Sequence, residues 1–555
     1  MFIGSSIGIN AMFIGAGFTP ASLFSNAEPG AWYDPSDLTT LFQDTAGTTP
    51  VTAPGQTVGL MLDKSQGLPL GPQLVTNGDF SNGTTGWPLT GGTATVTASG
   101  GGLTVNATVT AFVTQSFSTV VGGTYAYSVE IVSQNSAAFN AIRKADNNTA
   151  SVNVVELRQG IANGPGTSTG VFVATASTTF IVIQANSGAV ITVDNISVKL
   201  LPGNYATQAT AASRPTYGIV PLGGRRNLLT WSEDFTNVVW AKTGTTVTAD
   251  AEIAPNGELT ADRANNTGVS PIFSPGVVAS VGQGLVFSVW LKSATGANQT
   301  VNLSIAGASN TAFTVTGTWQ RFSVVWANPT AGTWNGRIGT TAQLYDVYLW
   351  GAQLEVGSTA TAYQRVTTQF NVTQTGTTSL SYLSFDGVDD GMVTSTVTPG
   401  TDKVQVFSGV RKLSDAAVGR LVELSATSAS NNGVFTIAAP TTSSTDYFGQ
   451  SKGTVASFVS ATPYVAPTTN VVTLLGDISA DVVQIRVNST LASSSATDQG
   501  TGNYLAYPLY IGRRGGTTQP FNGQIYSLIV RFGANLDNTT ITRTENWVNG
   551  ETGAY

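Results

Sequence analysis

The strongest constraint on this chain is an internal duplication. The run Leu74-Val75-Thr76-Asn77-Gly78-Asp79-Phe80, followed by Trp87, returns as Leu228-Leu229-Thr230-Trp231-Ser232-Glu233-Asp234-Phe235, followed by Trp240. Downstream, Gly122–Ser133 aligns without gaps to Gly282–Ser293, with identity at the first glycine, the central Ser-Val pair and the last serine. Each copy then closes on an aspartate in an alternating stretch, Val193-Asp194-Asn195-Ile196-Ser197-Val198 and Tyr345-Asp346-Val347-Tyr348-Leu349-Trp350. A repeat of roughly 130 to 140 residues has the size of an ordinary domain, so the chain holds two copies of one module.

Inside the first copy, Tyr125, Tyr127, Val129 and Ile131 alternate with Ala126, Ser128 and Glu130. That period of two, bounded by glycine clusters, predicts a half-buried strand. Short strands of this kind recur with almost no helical periodicity, which predicts an all-β fold of several antiparallel β-sandwiches. The expected boundaries are an apolar N-terminal segment 1–27, a small unit 28–72, modules 73–202 and 227–366, linkers 203–226 and 367–378, and a last sandwich 379–555. Two helices are expected. Pro35 and Ser36 ahead of Leu38, Leu41 and Phe42 predict a short one. Near the end, Thr542 and Glu545 have capping-box spacing, Trp547 and Val548 give an apolar face, and Gly550 is placed to stop it.

Composition excludes several chemistries. With 24 basic against 31 acidic residues, a net charge of −7 and no block of Lys or Arg, the chain lacks the basic footprint that nucleic acid requires. It has no Cys and no His, which removes thiol nucleophiles, His-based triads, the usual zinc sites and disulfides. Catalysis would have to run on carboxylates. The first 27 residues carry no charge and contain Met-Phe-Ile-Gly twice, yet Gly, Ser, Asn and Thr interrupt them, and no basic residue leads. They fit neither a signal peptide nor a membrane span. The expectation is an oligomeric or docking interface, and the alternative is a frayed terminus.

The sharpest candidates for recognition are aromatic residues out of phase with their strands. Phe287, Val289 and Leu291 share the apolar face, which puts Trp290 beside Ser288 and Lys292 on the polar one. Likewise Tyr345, Val347 and Leu349 read as core, leaving Tyr348 and Trp350 on the side of Asp346. Flat rings of this kind suit the C–H faces of sugars. The alternative is burial beneath a neighbouring domain or subunit. Trp326 shares the parity of Phe322 and Val324 and reads as core. The first copy has Glu130 at the Trp290 position, so it is not expected to bind in the same way.

Several resemblances follow from these residues. The duplicated module resembles the jelly-roll carbohydrate-binding modules, which open on an Asn-Gly-Asp/Glu-Phe segment followed by Trp. The last domain, with Phe385-Asp386-Gly387-Val388-Asp389-Asp390 and Phe521-Asn522-Gly523-Gln524-Ile525, resembles the laminin-G/concanavalin-like sandwiches. The stretch Gly30–Asp37 through Gly59–Ser65 is similar to the front of many bacteriophage virion fibre and tail proteins. Together these resemblances imply a structural bacteriophage fibre or decoration protein on a virion head or tail, and a homotrimer. They imply binding to host-surface polysaccharide or lipopolysaccharide without cleavage, through Trp290, Lys292, Tyr348 and Trp350, and contact with other virion proteins through the N-terminus. A polysaccharide depolymerase and a purely structural spacer are the alternatives. The close carboxylates Glu233-Asp234 and Asp389-Asp390 fall where these families place strand-start and turn residues, and the Glu-x-Asp-x-x-Glu pattern of concanavalin-like glycosidases is missing. No enzyme is expected. In the module family a structural Ca2+ often joins first and last strands, which implicates Asp79 with Asp194 and Asp234 with Asp346; the alternative is that these aspartates cap turns.

Overall fold

A computed structural model describes residues 17–45, 47–66, 72–100, 102–121, 123–135, 139–160, 164–201, 203–267, 270–441 and 444–555. Most of the apolar N-terminal segment, residues 1–16, therefore lies outside the described residues. The chain forms two compact units, one of 1–52, 56–216 and 382–555, the other of 53–55 and 217–381. Both are built almost wholly of antiparallel strands, as the alternating sequence predicts.

In the first unit, the C-terminal residues make a β-sandwich that recruits the N-terminal ones. Asn522–Phe532 pairs along one edge with Lys403–Lys412, which leads on to Thr468–Asp477, Val482–Val487 and Thr490–Ser495. Its other edge is shared. Leu383 to Asp386 pair with Ile525 to Asn522, and Gly30–Tyr33 pairs with Arg531 to Leu528. The opposing sheet runs from Leu41–Phe42 through Leu60–Met61 and Ala206–Thr207 to Met392–Val397, Tyr507–Ile511, Arg420–Leu424 and three further strands. Trp32 thus belongs to the C-terminal core, packing edge-on against Trp547 at 5.5 Å. The Asp63 carboxylate ties the pieces by accepting from the amides of Trp32, Ser65 and Asn204 and from the Ser65 hydroxyl.

Both expected helices shift. The Pro35 region holds only a 3-10 turn, Leu38–Thr40, capped by the Asp37 carboxylate, before the chain extends as Leu41–Phe42. The C-terminal helix spans Asn538–Thr552, with Asp537 as N-cap and Gly553 as the left-handed C-cap. The capping-box pair is interior to it: Glu545 is buried and paired with Arg486 at 2.8 Å, a tertiary role that local spacing does not reveal.

The first module gathers eight strands about a core containing Trp87, Tyr125, Val129, Ile131 and Val193. Leu103–Ser118 is long enough to serve two partners along one edge: Leu103 to Asn106 pair with Val193 to Val190, and Ala111 to Ser118 pair with Ala185 to Thr178, while Leu89–Ala98 pairs with the other edge. The second unit carries a five-stranded sheet in the order Thr245–Ile253, Leu259–Thr267, Leu344–Val356, Leu285–Ser293, Gln320–Trp326. A four-stranded sheet and a two-stranded one accompany it, around a core of Phe287, Val289, Leu291, Val347 and Leu349.

The two copies keep one register. Val198 faces Tyr127 in the first and Leu354 faces Phe287 in the second. In each, the opening motif docks on the closing strand by the same pair of backbone bonds: Leu74 N to Val198 O with Ile196 N to Gly78 O, and Leu228 N to Leu354 O with Ala352 N to Ser232 O. The tryptophan that follows each motif also has a physical role, although it comes ten residues after Asn77 and nine after Trp231. Trp87 Nε1 donates to Asn77 O at 3.0 Å and Trp240 Nε1 to Trp231 O at 2.9 Å, while each indole packs against the phenylalanine of its motif.

Candidate functional site

The recognition residues read from sequence lie on two adjacent strands, Leu285–Ser293 and Leu344–Val356. Alternation there sends Phe287, Val289, Leu291, Val347 and Leu349 to the core and the intervening side chains to the outer face. Register then brings all four candidates together. Trp290 is directly opposite Trp350, and Lys292 directly opposite Tyr348. The row extends to the next strand, where Arg263 is opposite Tyr348. Lys292 Nζ lies 5.8 Å from the Tyr348 ring centre and 3.1 Å from Glu252 Oε2.

The two halves of this face differ. Tyr348 and Lys292 are half-buried at the surface, whereas Trp350 is only 6% exposed. It packs with Ala254, Ala261, Trp290, Trp319 and Tyr363 in a small outer core. Its Nε1 donates to Thr260 Oγ1, its ring lies 4.8 Å from that of Tyr363, and Trp319 Nε1 donates to Ile253 O. Gly351, at φ +62°, permits the closeness: a Cβ there would stand 3.1 Å from Trp290 Cδ1 and 3.4 Å from Tyr363 Cζ. An open platform of Trp290 and Trp350 is thus corrected to a covered one. The cover is the protein's own Tyr363 and the Thr245–Ile253/Leu259–Thr267 hairpin. Tyr348 and Lys292 remain accessible, with Arg263, Glu252 and Trp319 as neighbours that the sequence reading did not single out. Arg263 was available from the alternation of Ala261, Arg263 and Asn265, while nothing local pointed to Trp319 or Tyr363.

The aspartates expected to share calcium are placed differently from one another. Asp79 and Asp234 each cap a turn, accepting from the amide and hydroxyl of Ser81 and Thr236 respectively. Asp346 receives two bonds from Arg263, at 2.8 and 2.6 Å, so a guanidinium stands where a cation would have to bind. The common register further shows that the counterpart of Asp194 is Trp350, not Asp346. Asp194 faces Glu130 just as Trp350 faces Trp290. The donor set in the second module therefore does not fit a shared Ca2+. Among the described residues, the three carboxylates close enough to share an ion are Asp386, Asp389 and Asp390, at the start of the C-terminal sandwich. There the Asp386 carboxylate accepts from the amides of Val388, Asp389 and Asp390, and Ser213 Oγ donates to Asp389 at 2.6 Å. Of the other close pair, Glu233 accepts from Tyr363 and is bridged to Arg365 at 2.8 Å.

The chain is similar in parts to several solved structures. One is the CBM40 of Ruminococcus gnavus IT-sialidase bound to alpha2,3 sialyllactose, at 17% identity over 26% of this chain and 82% of that one, with TM-score 0.22. Another is the CBM22-1-CBM22-2 tandem domain from Paenibacillus barcinonensis Xyn10C, at 13% identity over 52% of this chain and 98% of that one, with TM-score 0.23. A third is the heptameric SAP-like pentraxin of Limulus polyphemus, at 14% identity over 29% and 78%, with TM-score 0.25. No protein-family model and no curated protein matches the chain.

Proposed function

We propose that the protein is a structural component of a bacteriophage virion, a fibre or decoration protein of head or tail that adsorbs to host-surface glycans without cleaving them. The observation that carries the reading is the outward pair of Tyr348 and Lys292, held directly opposite each other on a rigid sheet and flanked by Arg263 and Glu252. A ring offers the apolar face of a sugar a flat contact, and the charged groups on either side offer its hydroxyls both donors and acceptors. The resemblance of the Gly30–Ser65 stretch to virion fibre proteins, in combination with the tandem modules and the laminin-G-like last domain, supports the assignment to a virion. A homotrimer is part of the same proposal.

A second reading, a spacer without a ligand, is favoured by the burial of Trp350. Incubating the protein with host capsule or lipopolysaccharide, and following both retention and reducing ends, separates the readings. Retention without new reducing ends is expected. Release of oligosaccharides would make it a depolymerase, and no retention would leave the spacer.

A further inference from the structure

A pocket of about 330 Å³ opens in the second module next to the opening motif. Trp231, Glu233, Asp234, Asp250, Asp262 and Arg365 are among its lining residues. The duplication sets one of its residues apart. The residue whose carbonyl receives the following tryptophan's indole must be left-handed in both copies: φ is +51° at Asn77 and +53° at Trp231. Asparagine takes that conformation cheaply, and a bulky aromatic does so only against strain. The first copy achieves the same docking with Asn77, so the turn itself does not call for an indole. Trp231 is half-buried, packs in part against the module core and also lines the pocket, and its Nε1 makes no hydrogen bond among the described residues. A second strained position, Asp250 at φ +49°, brings a further carboxylate to the same rim.

The charge of the pocket narrows what it takes. Four carboxylates line it, from Glu233, Asp234, Asp250 and Asp262, against the single guanidinium of Arg365. That guanidinium is already bridged to Glu233. Asp262 is 2% exposed and accepts from the amides of Phe235 and Asp250, so it is fixed in place. Ionised carboxylates only accept, which suits the hydroxyl and ammonium donors of a sugar and opposes a sugar acid.

We propose that this pocket is a second saccharide site, one that takes a neutral or amino hexopyranose with its apolar face on Trp231 and its donors on Asp250 and the neighbouring carboxylates. It is independent of the Tyr348 face and would stand if that face bound nothing.

The test is saturation-transfer difference NMR on the full chain with galactose, N-acetylglucosamine, glucosamine and glucuronate as probes. Galactose, N-acetylglucosamine or glucosamine should give a signal that glucuronate does not. Trp231→Asn installs the residue that the first copy uses at this turn and should weaken binding by about tenfold, the loss expected of one aromatic contact. Asp250→Gly, which relieves a left-handed residue while deleting one carboxylate, provides a variant that keeps the fold and should also lower the signal. Both pocket variants are compared in a Tyr348→Ala background, so that signal from that face is removed first and the pocket signal must persist without it. No signal from any of the three non-acidic sugars, an equal response to glucuronate, or full binding by both pocket variants would overturn the assignment.

Discussion

Trp240 donates its indole N–H to the carbonyl of Trp231, and Trp87 does the same to Asn77, so the motif that marks the duplication in sequence is a backbone clamp in three dimensions. Both donor indoles are about 1% exposed. Replacing either with phenylalanine keeps much of the apolar volume but leaves a carbonyl without its donor. The expected cost is about 1 to 3 kcal/mol per module. Thermal unfolding of Trp87→Phe and Trp240→Phe measures it, and unchanged transitions in both would reduce the clamp to simple packing.

Stability and recognition should come apart on the outer face of the second module. Trp350 is covered by Tyr363 and the hairpin, so Trp350→Ala should destabilise that module by about 3 to 5 kcal/mol. Tyr348, opposite Lys292 at the surface, should tolerate alanine with little change in melting and yet lose glycan retention. Equal losses of stability in the two variants would contradict the division of the face described above.

Much of this was legible in the residues. The parity of Phe287, Val289 and Leu291 placed Trp290 and Lys292 correctly on the outer face, because a strand's side-chain period is fixed by its backbone. Parity could not say whether that face is open. The cover over Trp350 comes from Tyr363 and from a hairpin almost a hundred residues away, and such packing leaves no local trace. The expected equivalence of Asp194 and Asp346 in the two copies fails for a related reason. Both strands carry an aspartate in alternation, but the bond from Ala352 to Ser232 sets the frame, and it makes Trp350 the residue equivalent to Asp194. The C-terminal helix was seen but started too late, since Glu545 resembled a cap while serving a tertiary ion pair with Arg486.

The calcium expectation gives a clean measurement on the isolated question of Asp346. Because Arg263 already occupies both of its carboxylate oxygens, chelation should leave the second module's transition unmoved. Arg263→Ala should then make the same transition sensitive to added Ca2+ only if a second carboxylate approaches closely enough. A fall in melting on chelation of the unmodified protein would show that metal is held at other oxygens.

The pH dependence of the C-terminal sandwich should carry the signature of Asp390. Burial, with the neighbouring Asp386 carboxylate adding to it, pushes Asp390 up to about 7 from an ordinary value near 3.8. The folded state therefore binds a proton more tightly than the unfolded chain. Its contribution to stability is fully present below about 3.8 and is lost as pH rises through about 7. The sandwich should melt higher at pH 5 than at pH 8 on this account. Asp390→Asn, which preserves an acceptor for the Asp386 amide, should flatten that slope and raise stability at pH 8. A slope that survives the substitution would have to be assigned to other buried acids, of which Asp63, pushed up to about 6 by burial, is the next to replace.

Part of the N-terminal segment is used by the fold. Leu23 and Phe24 are buried with Trp32, Phe407, Ile529 and Ile541, and Arg531 fastens them by donating to Leu23 O at 2.7 Å while pairing with Glu28 at 2.9 Å. Removing residues 1–27 deletes two large core side chains and should cost the sandwich about 3 to 6 kcal/mol. Removing only 1–16 leaves that anchor whole, and melting should match the full chain. The shorter deletion still takes away Phe2, Ile3, Ile7, Ile9, Met12, Phe13 and Ile14, the uncharged residues expected to drive self-association. By sedimentation, its mass should fall toward that of one chain. If it keeps the full-length oligomeric state, the self-association surface lies elsewhere, and the segment is better assigned to docking on another protein.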